Sequence, residues 1–327
     1  MAVRNPVRPA TGVEILDLRH FLSADLRPLL DEEVEMWGAA LAWDYRSSAE
    51  MILRYVDAKI LPGYAAVERG SLVGYAFFVY EGSKGVIGDL FVSPNRSDAR
   101  AVEGRLVDHV IETLQQSPGV HRVEAQLLTH ETGELAEPFL ANGFQRYRRL
   151  FLCLDLRGDN VQDSRERSLP SQIRIRRWTE NDYQHAAGVI TAAYRAHIDS
   201  EINDQYRTTA GSMRFLNNIV RFPGCGVFDP QASFVAVHQP SNTLIGLILC
   251  SRVRDDVGHV TQVCLVPEHR GQGLGEALLD STCSALRHRK FNLLTLTVTE
   301  ANHRAVDLYR KLGFETRRVF DALVWEG

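Results

Sequence analysis

Between Val260 and Leu279 an apolar run ends at Val266-Pro267 and passes through Glu268-His269-Arg270-Gly271-Gln272-Gly273-Leu274-Gly275 into an amphipathic stretch. Glycines let a backbone take positive φ and come close to a ligand, while the free N–H groups and dipole at a helix start favour phosphate. The spacing therefore predicts a pyrophosphate cradle, to be weighed against a plain tight strand-to-helix turn. A nucleotide P-loop is excluded, because it needs Gly-x-x-x-x-Gly-Lys-Ser/Thr and this helix opens on Glu276-Ala277-Leu278. A dinucleotide loop is disfavoured: it reads Gly-x-Gly-x-x-Gly with an acid about 20 positions on, whereas here the pattern is Gly-x-Gly-x-Gly and positions 291–297 hold no acid.

The stretch Arg270-Gly271-Gln272-Gly273-Leu274-Gly275 matches Arg/Gln-x-x-Gly-x-Gly/Ala, and Asn302, Ala305, Leu308-Tyr309 and Gly313-Phe314 match Asn-x-x-Ala-x-x-Leu-Tyr-x-x-x-Gly-Phe. On these two motifs the chain resembles the GNAT (Gcn5-related N-acetyltransferase) superfamily, closely over about Ile173–Trp325 and as a weakened copy over Val13–Leu156. The resemblance implies acetyl-CoA as co-substrate and no metal. The backbones of Leu265 and Val266, at the end of a splayed strand, would bond the pantetheine arm. The loop from Arg270 through Gly271, Gln272, Gly273, Leu274 and Gly275 to Glu276 would hold the pyrophosphate, and Asn302 would contact the same arm. Tyr309 would protonate the departing thiolate, against the plainer reading of a helix residue anchoring the core.

The implied reaction is direct attack of an amine on the thioester, in a ternary complex, so no nucleophilic Ser or Cys is needed. Cys264, inside an apolar strand, reads as a buried inert thiol, and the oxyanion donor is expected among the strand N–H groups near Cys264 to Val266. An ammonium must lose a proton before attack, and three residues compete for work on that side: His259 at the start of the strand, Gln262 further along it, and Glu201 between the first two helices of this half. Gln262 can only orient water. His259 and Glu201 also admit plain readings, as a strand-end polar group and a solvated charge. The segment Tyr194–Arg207 would border the acceptor pocket, and its acids suit a cationic amine while its arginines suit a carboxylate. Thr297 stands where peptide N-terminal acetyltransferases of the superfamily often carry a glutamate, which weighs against a ribosomal-protein substrate.

These residues must be positioned by alternating strands and helices. The second half predicts a strand at Ile173–Trp178, helices at Asp182–Ala196 and Thr209–Phe222, and strands at Ser233–Val237, Leu244–Arg252 and Val260–Val266. A helix from about Gly275 to Arg289, a strand at Asn292–Val298, a helix at Asn302–Lys311 closed by Gly313, and strands through Trp325 complete it. The first half repeats the order: Gly143-Phe144 returns as Gly313-Phe314 after 170 residues, and Pro94 stands against Pro267. The polar stretch Arg157–Pro170 has linker composition. The fold expected is α/β, of the α+β GNAT type: two tandem acyl-CoA N-acyltransferase domains, each a central mixed, mostly antiparallel sheet flanked by helices, at residues 1–156 and 171–327 around a 157–170 linker. The resemblance also includes tandem members with one catalytic and one divergent half. Here the first half sets Ser97-Asp98-Ala99-Arg100-Ala101-Val102 against the loop and Phe139 against Tyr309, so it reads as non-catalytic. Residues 171–327 alone are then expected to bind one CoA.

The 327 residues suit about two domains, and 45% hydrophobic with 24% charged residues is the balance of a soluble globular protein. A net charge of −4 gives no overall pull towards nucleic acid or an anionic membrane. The charge is uneven, with 16 basic and 22 acidic residues in 1–156 against 18 and 16 in 171–327, so the halves differ in electrostatic role. Apolar runs such as Leu244–Cys250 fall far short of the roughly 18 residues of a membrane span, and Met1–Gly12 lacks a signal-peptide core, so the chain reads as cytoplasmic. Cys153, Cys225, Cys250, Cys264 and Cys283 form no Cys-x-x-Cys pair and read as reduced thiols. The expected activity is N-acetyl transfer to a small-molecule amine, with no nucleic-acid or membrane partner and a homodimer left open. The alternatives are a non-catalytic acyl-CoA-binding or sensor protein, and a peptide or protein N-terminal acetyltransferase.

Overall fold

Strands and helices follow one another twice in the same order. The structure, a computed structural model, describes residues 12–158, 170–221 and 226–327. Most of the expected linker, Cys225 and the stretch before Gly12 lie outside the described residues.

The first series runs β1 (Val13–Asp17), α1 (Ser23–Leu41), α2 (Arg46–Asp57), β2 (Gly63–Glu68), β3 (Ser71–Glu81), β4 (Lys84–Val92), α3 (Ala99–Gln116), β5 (Arg122–Gln126), α4 (Ala136–Ala141) and β6 (Gln145–Asp155). The second runs β7 (Ile173–Arg177), α5 (Tyr183–Tyr194), α6 (Asp199–Ile202), α7 (Thr209–Arg221), β8 (Val227–Phe228), β9 (Phe234–His238), β10 (Thr243–Arg254) and β11 (Val257–Leu265). It closes with α8 (Leu274–His288), β12 (Leu293–Thr299), α9 (His303–Lys311) and β13 (Glu315–Glu326). One long strand, β13, replaces the several strands expected near the end, and the two-residue β8 was not expected.

Two compact units form, one from the residues up to Leu41 with Tyr45–Arg148 and Phe320–Gly327, the other from Ala42–Asp44 with Arg149–Val319. Two strands therefore fall in part in the unit built mainly from the other half of the sequence. In the second unit Arg149–Asp155 of β6 runs antiparallel to β12, burying Leu150, Leu152, Leu154 and Leu156 in a core with α8 and α9. In the first unit Ala322–Glu326 of β13 runs antiparallel to β5, and Leu323 joins the core beneath α3. Each sheet thus takes its last strand from the other half of the sequence.

In the second sheet Leu294, Leu296 and Val298 face the core with α8 and α9, so by strand alternation Thr295, Thr297 and Thr299 take the opposite face. The core with α5 and α7, to which Cys264 belongs, covers that other side. Both units are mixed sheets, mostly antiparallel, with one parallel pair each: β4 with β5 and β11 with β12.

That parallel pair carries the feature that makes the site. Leu249 pairs with Gln262 but Cys250 pairs with Val260, so Thr261 is an extra residue, a β-bulge. The β11–β12 ladder stops at the Val260–Leu296 pair, and beyond it the two strands part. The first unit repeats this: Phe77 pairs with Asp89 and Phe78 with Ile87, leaving Gly88 over, and β4 leaves β5 after Ile87. A Cβ on Gly88 would strike the Phe77 ring at 2.1 Å, so glycine is required there.

Candidate active site

The loop ahead of α8 has the conformation its glycines suggest. Gly271 and Gly273 have φ of 77° and 78°, the left-handed region, whereas Gly275 sits in the helix, where a Cβ would make only ordinary contacts with Leu308 and Leu265. Among the described residues the backbone N–H groups of Gly271, Gln272, Gly273, Leu274 and Gly275 donate to nothing. Five free donors beside a helix start, with open space where a Gly273 side chain would stand, fit a pyrophosphate. Arg270 braces the loop: its Nε donates to the Leu265 carbonyl at 3.2 Å and Nη2 to the Ala193 carbonyl. Gln272 lies exposed, its amide 3.5 Å from the Glu268 carbonyl. The Glu276 carboxylate is paired with Lys311 at 3.3 Å.

At the end of β11 the Val266 N–H donates to the Ile245 carbonyl (2.9 Å) and its carbonyl accepts from His269 N–H (3.1 Å). Both backbone groups of Val266 are therefore engaged, a limit on the pantetheine contact implied for it. Alternation from Val266 turns the N–H and C=O groups of Val263 and Leu265 into the cleft between the parted strands.

On the α9 side Tyr309 is 6% exposed and packs edge-on against Phe314 at 5.6 Å. Its hydroxyl bonds nothing among the described residues, and burial, with the Asp199 charge second, pushes its pKa well above the usual phenol range. The phenol stays protonated and able to donate. Phe139, its counterpart, is fully buried against Phe144 with no hydroxyl to offer. Asn302 caps α9, its Oδ1 accepting from Ala305 N–H at 3.3 Å, and its Nδ2 lies 3.3 Å from His197 Nε2.

The four catalytic candidates are not brought together. Gln262 is 5% exposed, its Oε1 accepts from Tyr194 OH at 3.3 Å, and its Nε2 is buried with no partner. His259 is shut in by Trp43 (4.8 Å, edge-on) and Phe151 (6.1 Å, stacked), with Nδ1 2.9 Å from Thr295 Oγ1. Burial lowers its pKa to about 3. Glu201 is half exposed and bridged to Arg207 at 3.1 Å. The geometry thus favours the plain readings of both. Cys264 is pushed up to about 12 by burial, which keeps the thiol inert.

Sequence reasoning placed His197 and Asp199 in the segment bordering the acceptor pocket without giving either a role, and passed over Arg149. Asp199 accepts from Thr299 Oγ1, and its backbone N–H points at His197 Nδ1 at 3.2 Å. Partial burial, the leading cause, lowers the His197 pKa from its usual value, so the ring is neutral at pH 7. Asp199 and His197 stand in the short stretch before and within α6, which carries no motif.

The first unit offers no such cradle. Where the loop should be, Arg96 pairs with Glu68 (3.0 Å) and Asp98 (2.9 Å), and Asp89, at the place of Gln262, caps the Leu90 N–H at 2.9 Å. Among the described residues no cluster of His, Cys, Asp or Glu could hold a metal, and no helix is long and apolar enough to cross a membrane.

Residues 196–314 match the family described as Acetyltransferase (GNAT) family. The chain is 28% identical over 334 aligned positions to the mycothiol acetyltransferase of Thermobispora bispora, covering 99% of each. It is 39% identical over 97 positions to that of Thermobifida fusca, or 27% of this chain and 30% of that one. Among solved structures, a GCN5-related N-acetyltransferase from Sphaerobacter thermophilus superposes with a TM-score of 0.68 at 16% identity, covering 97% and 96% of the two chains. A tandem GNAT protein from the clavulanic acid biosynthesis pathway gives 0.60 at 18%, covering 96% and 98%. These likenesses show the fold.

Proposed function

Because residues 196–314 belong to the GNAT acetyltransferases and the chain is an acyltransferase of tandem GNAT layout, similar to mycothiol acetyltransferases, we propose that it moves an acetyl group from acetyl-CoA to the primary amine of a small molecule. Attack is direct, with both substrates bound at once. What supports this reading is the set of five free loop N–H groups ahead of α8, together with the bulge in β11 past which β11 and β12 no longer pair.

The loop amides and helix dipole hold the pyrophosphate. Val263 and Leu265 offer strand groups to the pantetheine arm, and one of their N–H groups faces the thioester oxygen as negative charge builds on it. Tyr309, protonated and otherwise unbonded, gives its proton to the sulfur as the C–S bond breaks. His197 takes the proton that the ammonium must lose. The lone pair that takes it is on Nδ1, which accepts from the Asp199 backbone N–H at 3.2 Å, and the Asp199 carboxylate 3.7 Å away favours the imidazolium that forms. Gln262, held by Tyr194, orients the acceptor with its unpartnered amide. The first unit supports the fold and holds no cofactor, giving one acetyl-CoA per chain.

The test is free-thiol release from acetyl-CoA against a panel of primary amines, headed by the acceptor that mycothiol acetyltransferases use. Acetyl-CoA binding without thiol release from any amine would replace this reading with that of an acyl-CoA sensor.

A further inference from the structure

On the sheet face away from α8, the second unit holds a pair of opposite charges that are only half satisfied. Arg149, on β6 opposite Thr299, has a side chain 12% exposed. A guanidinium offers five N–H donors in a planar fork, yet this one makes a single side-chain hydrogen bond among the described residues, from Nη2 to the neutral Thr297 Oγ1 at 3.2 Å. Its Nη1 lies 3.9 Å from Asp199 Oδ1, beyond hydrogen-bond reach, and its Nε is buried with no partner. Asp199 is likewise incomplete: Oδ1 accepts from Thr299, but Oδ2 accepts no hydrogen bond among the described residues. Largely buried charged groups left with open donors and acceptors cost stability, and a ligand that fills them recovers it.

The position of this pair matters as much as its chemistry. The loop that suits the pyrophosphate belongs to the α8 side, while Thr297, Thr299, Asp199 and Arg149 meet on the other side, at the end of β12 where the strands have parted. A molecule threaded from the loop through the cleft brings its acyl end out beside them. The amine must approach there.

We propose that the acceptor is a zwitterion of the amino-acid class, a primary amine with a carboxylate close to it. The carboxylate lies in the fork of Arg149, and the ammonium lies against Asp199 Oδ2. One cation and one anion match one carboxylate and one ammonium. A dianionic phosphate would be repelled by Asp199, and a polyamine would bring a second positive charge against Arg149. This inference rests on the acetyl-transfer reading and narrows its acceptor.

The experiment compares amino acids with their carboxamides, as matched pairs of acceptors, by thiol release from acetyl-CoA in the full chain and in its R149Q and R149K variants. The wild type is expected to favour the carboxylate member by at least about tenfold in kcat/KM, the scale of a charge-assisted hydrogen bond. R149Q should lose most of that preference, and R149K, which keeps the charge but not the fork, should lose part. Because the readout is a ratio between two acceptors on one protein sample, it is independent of how much of a variant folds. Equal rates within pairs in the wild type, or an unchanged ratio in R149Q, would overturn the proposal while leaving acetyl transfer standing. Absence of thiol release with every amine, with acetyl-CoA still bound by calorimetry, would overturn both.

Discussion

A chain cut at the apparent linker, so that only residues 171–327 remain, should fail to fold, although that stretch carries both motifs. The cut removes Arg149–Asp155, which pairs with β12 along its whole length. It also removes Leu150, Leu152, Leu154 and Leu156, which are 3%, 1%, 4% and 4% exposed in the second core. Burial of a leucine side chain contributes about 2 kcal/mol, so the four together contribute about 8 kcal/mol, before the opened edge of β12 is counted. A domain's whole stability is ~5–15 kcal/mol. Far-UV circular dichroism with thermal melting, then calorimetric titration with CoA, should show no cooperative transition and no binding for 171–327. A piece spanning 149–319 should recover a transition. If 171–327 instead melts cooperatively and binds CoA like the full chain, the assignment of β6 to the second core is mistaken.

Gly273→Val should weaken CoA binding at least tenfold by calorimetry, because a branched residue is strained at φ 78° and its side chain fills the open space over the loop amides. The melting temperature should fall only a few degrees, the scale of about 1–2 kcal/mol of left-handed strain. Tyr309→Phe should bind acetyl-CoA nearly as well and lose roughly 10–10³-fold in kcat, the usual contribution of one general acid; full activity would make Tyr309 a packing residue. The rate should depend on a neutral His197, so kcat/KM should fall as pH drops through a value below the ordinary histidine range, since burial lowers this pKa. His197→Gln should slow the reaction and remove that acid limb, and a limb that persists would assign it elsewhere.

The duplication was legible because the repeat preserves backbone roles. The Ser93 N–H bonds the Val73 carbonyl as the Val266 N–H bonds that of Ile245, and the Gly-Phe pairs mark matching turns. The loop was legible for a similar reason: positive φ at Gly271 and Gly273 writes glycine into the sequence. The exchange of β6 and β13 was not, because a strand such as QRYRRLFLCLD shows which residues are buried and not which sheet buries them. His197 and Asp199 were legible only as members of the stretch bordering the acceptor pocket, because a short polar connection without periodicity does not rank its residues, and Arg149 was not legible because its partner Asp199 lies 50 positions away on an unrelated element. His259 illustrates the converse error of proximity: it stands on the right strand, yet aromatic side chains enclose it and burial keeps its ring uncharged.

The exchanged strands also constrain the order in which the chain can fold during synthesis. The strand that completes the first sheet meets β5 across a separation of 204 residues, at Arg122 and Glu326. At ~5–20 residues per second of translation, the far edge of β5 waits on the order of 10–40 s for its partner. By then every strand of the second sheet has already been made. The usual sequence, in which an N-terminal domain closes before its successor emerges, is therefore unavailable, and both units must finish late. An unpaired strand edge is a template for wrong pairing throughout that interval. Yield at high expression temperature should accordingly be limited by nascent-chain aggregation rather than by the stability of the finished protein, and slower translation alone would lengthen the exposure.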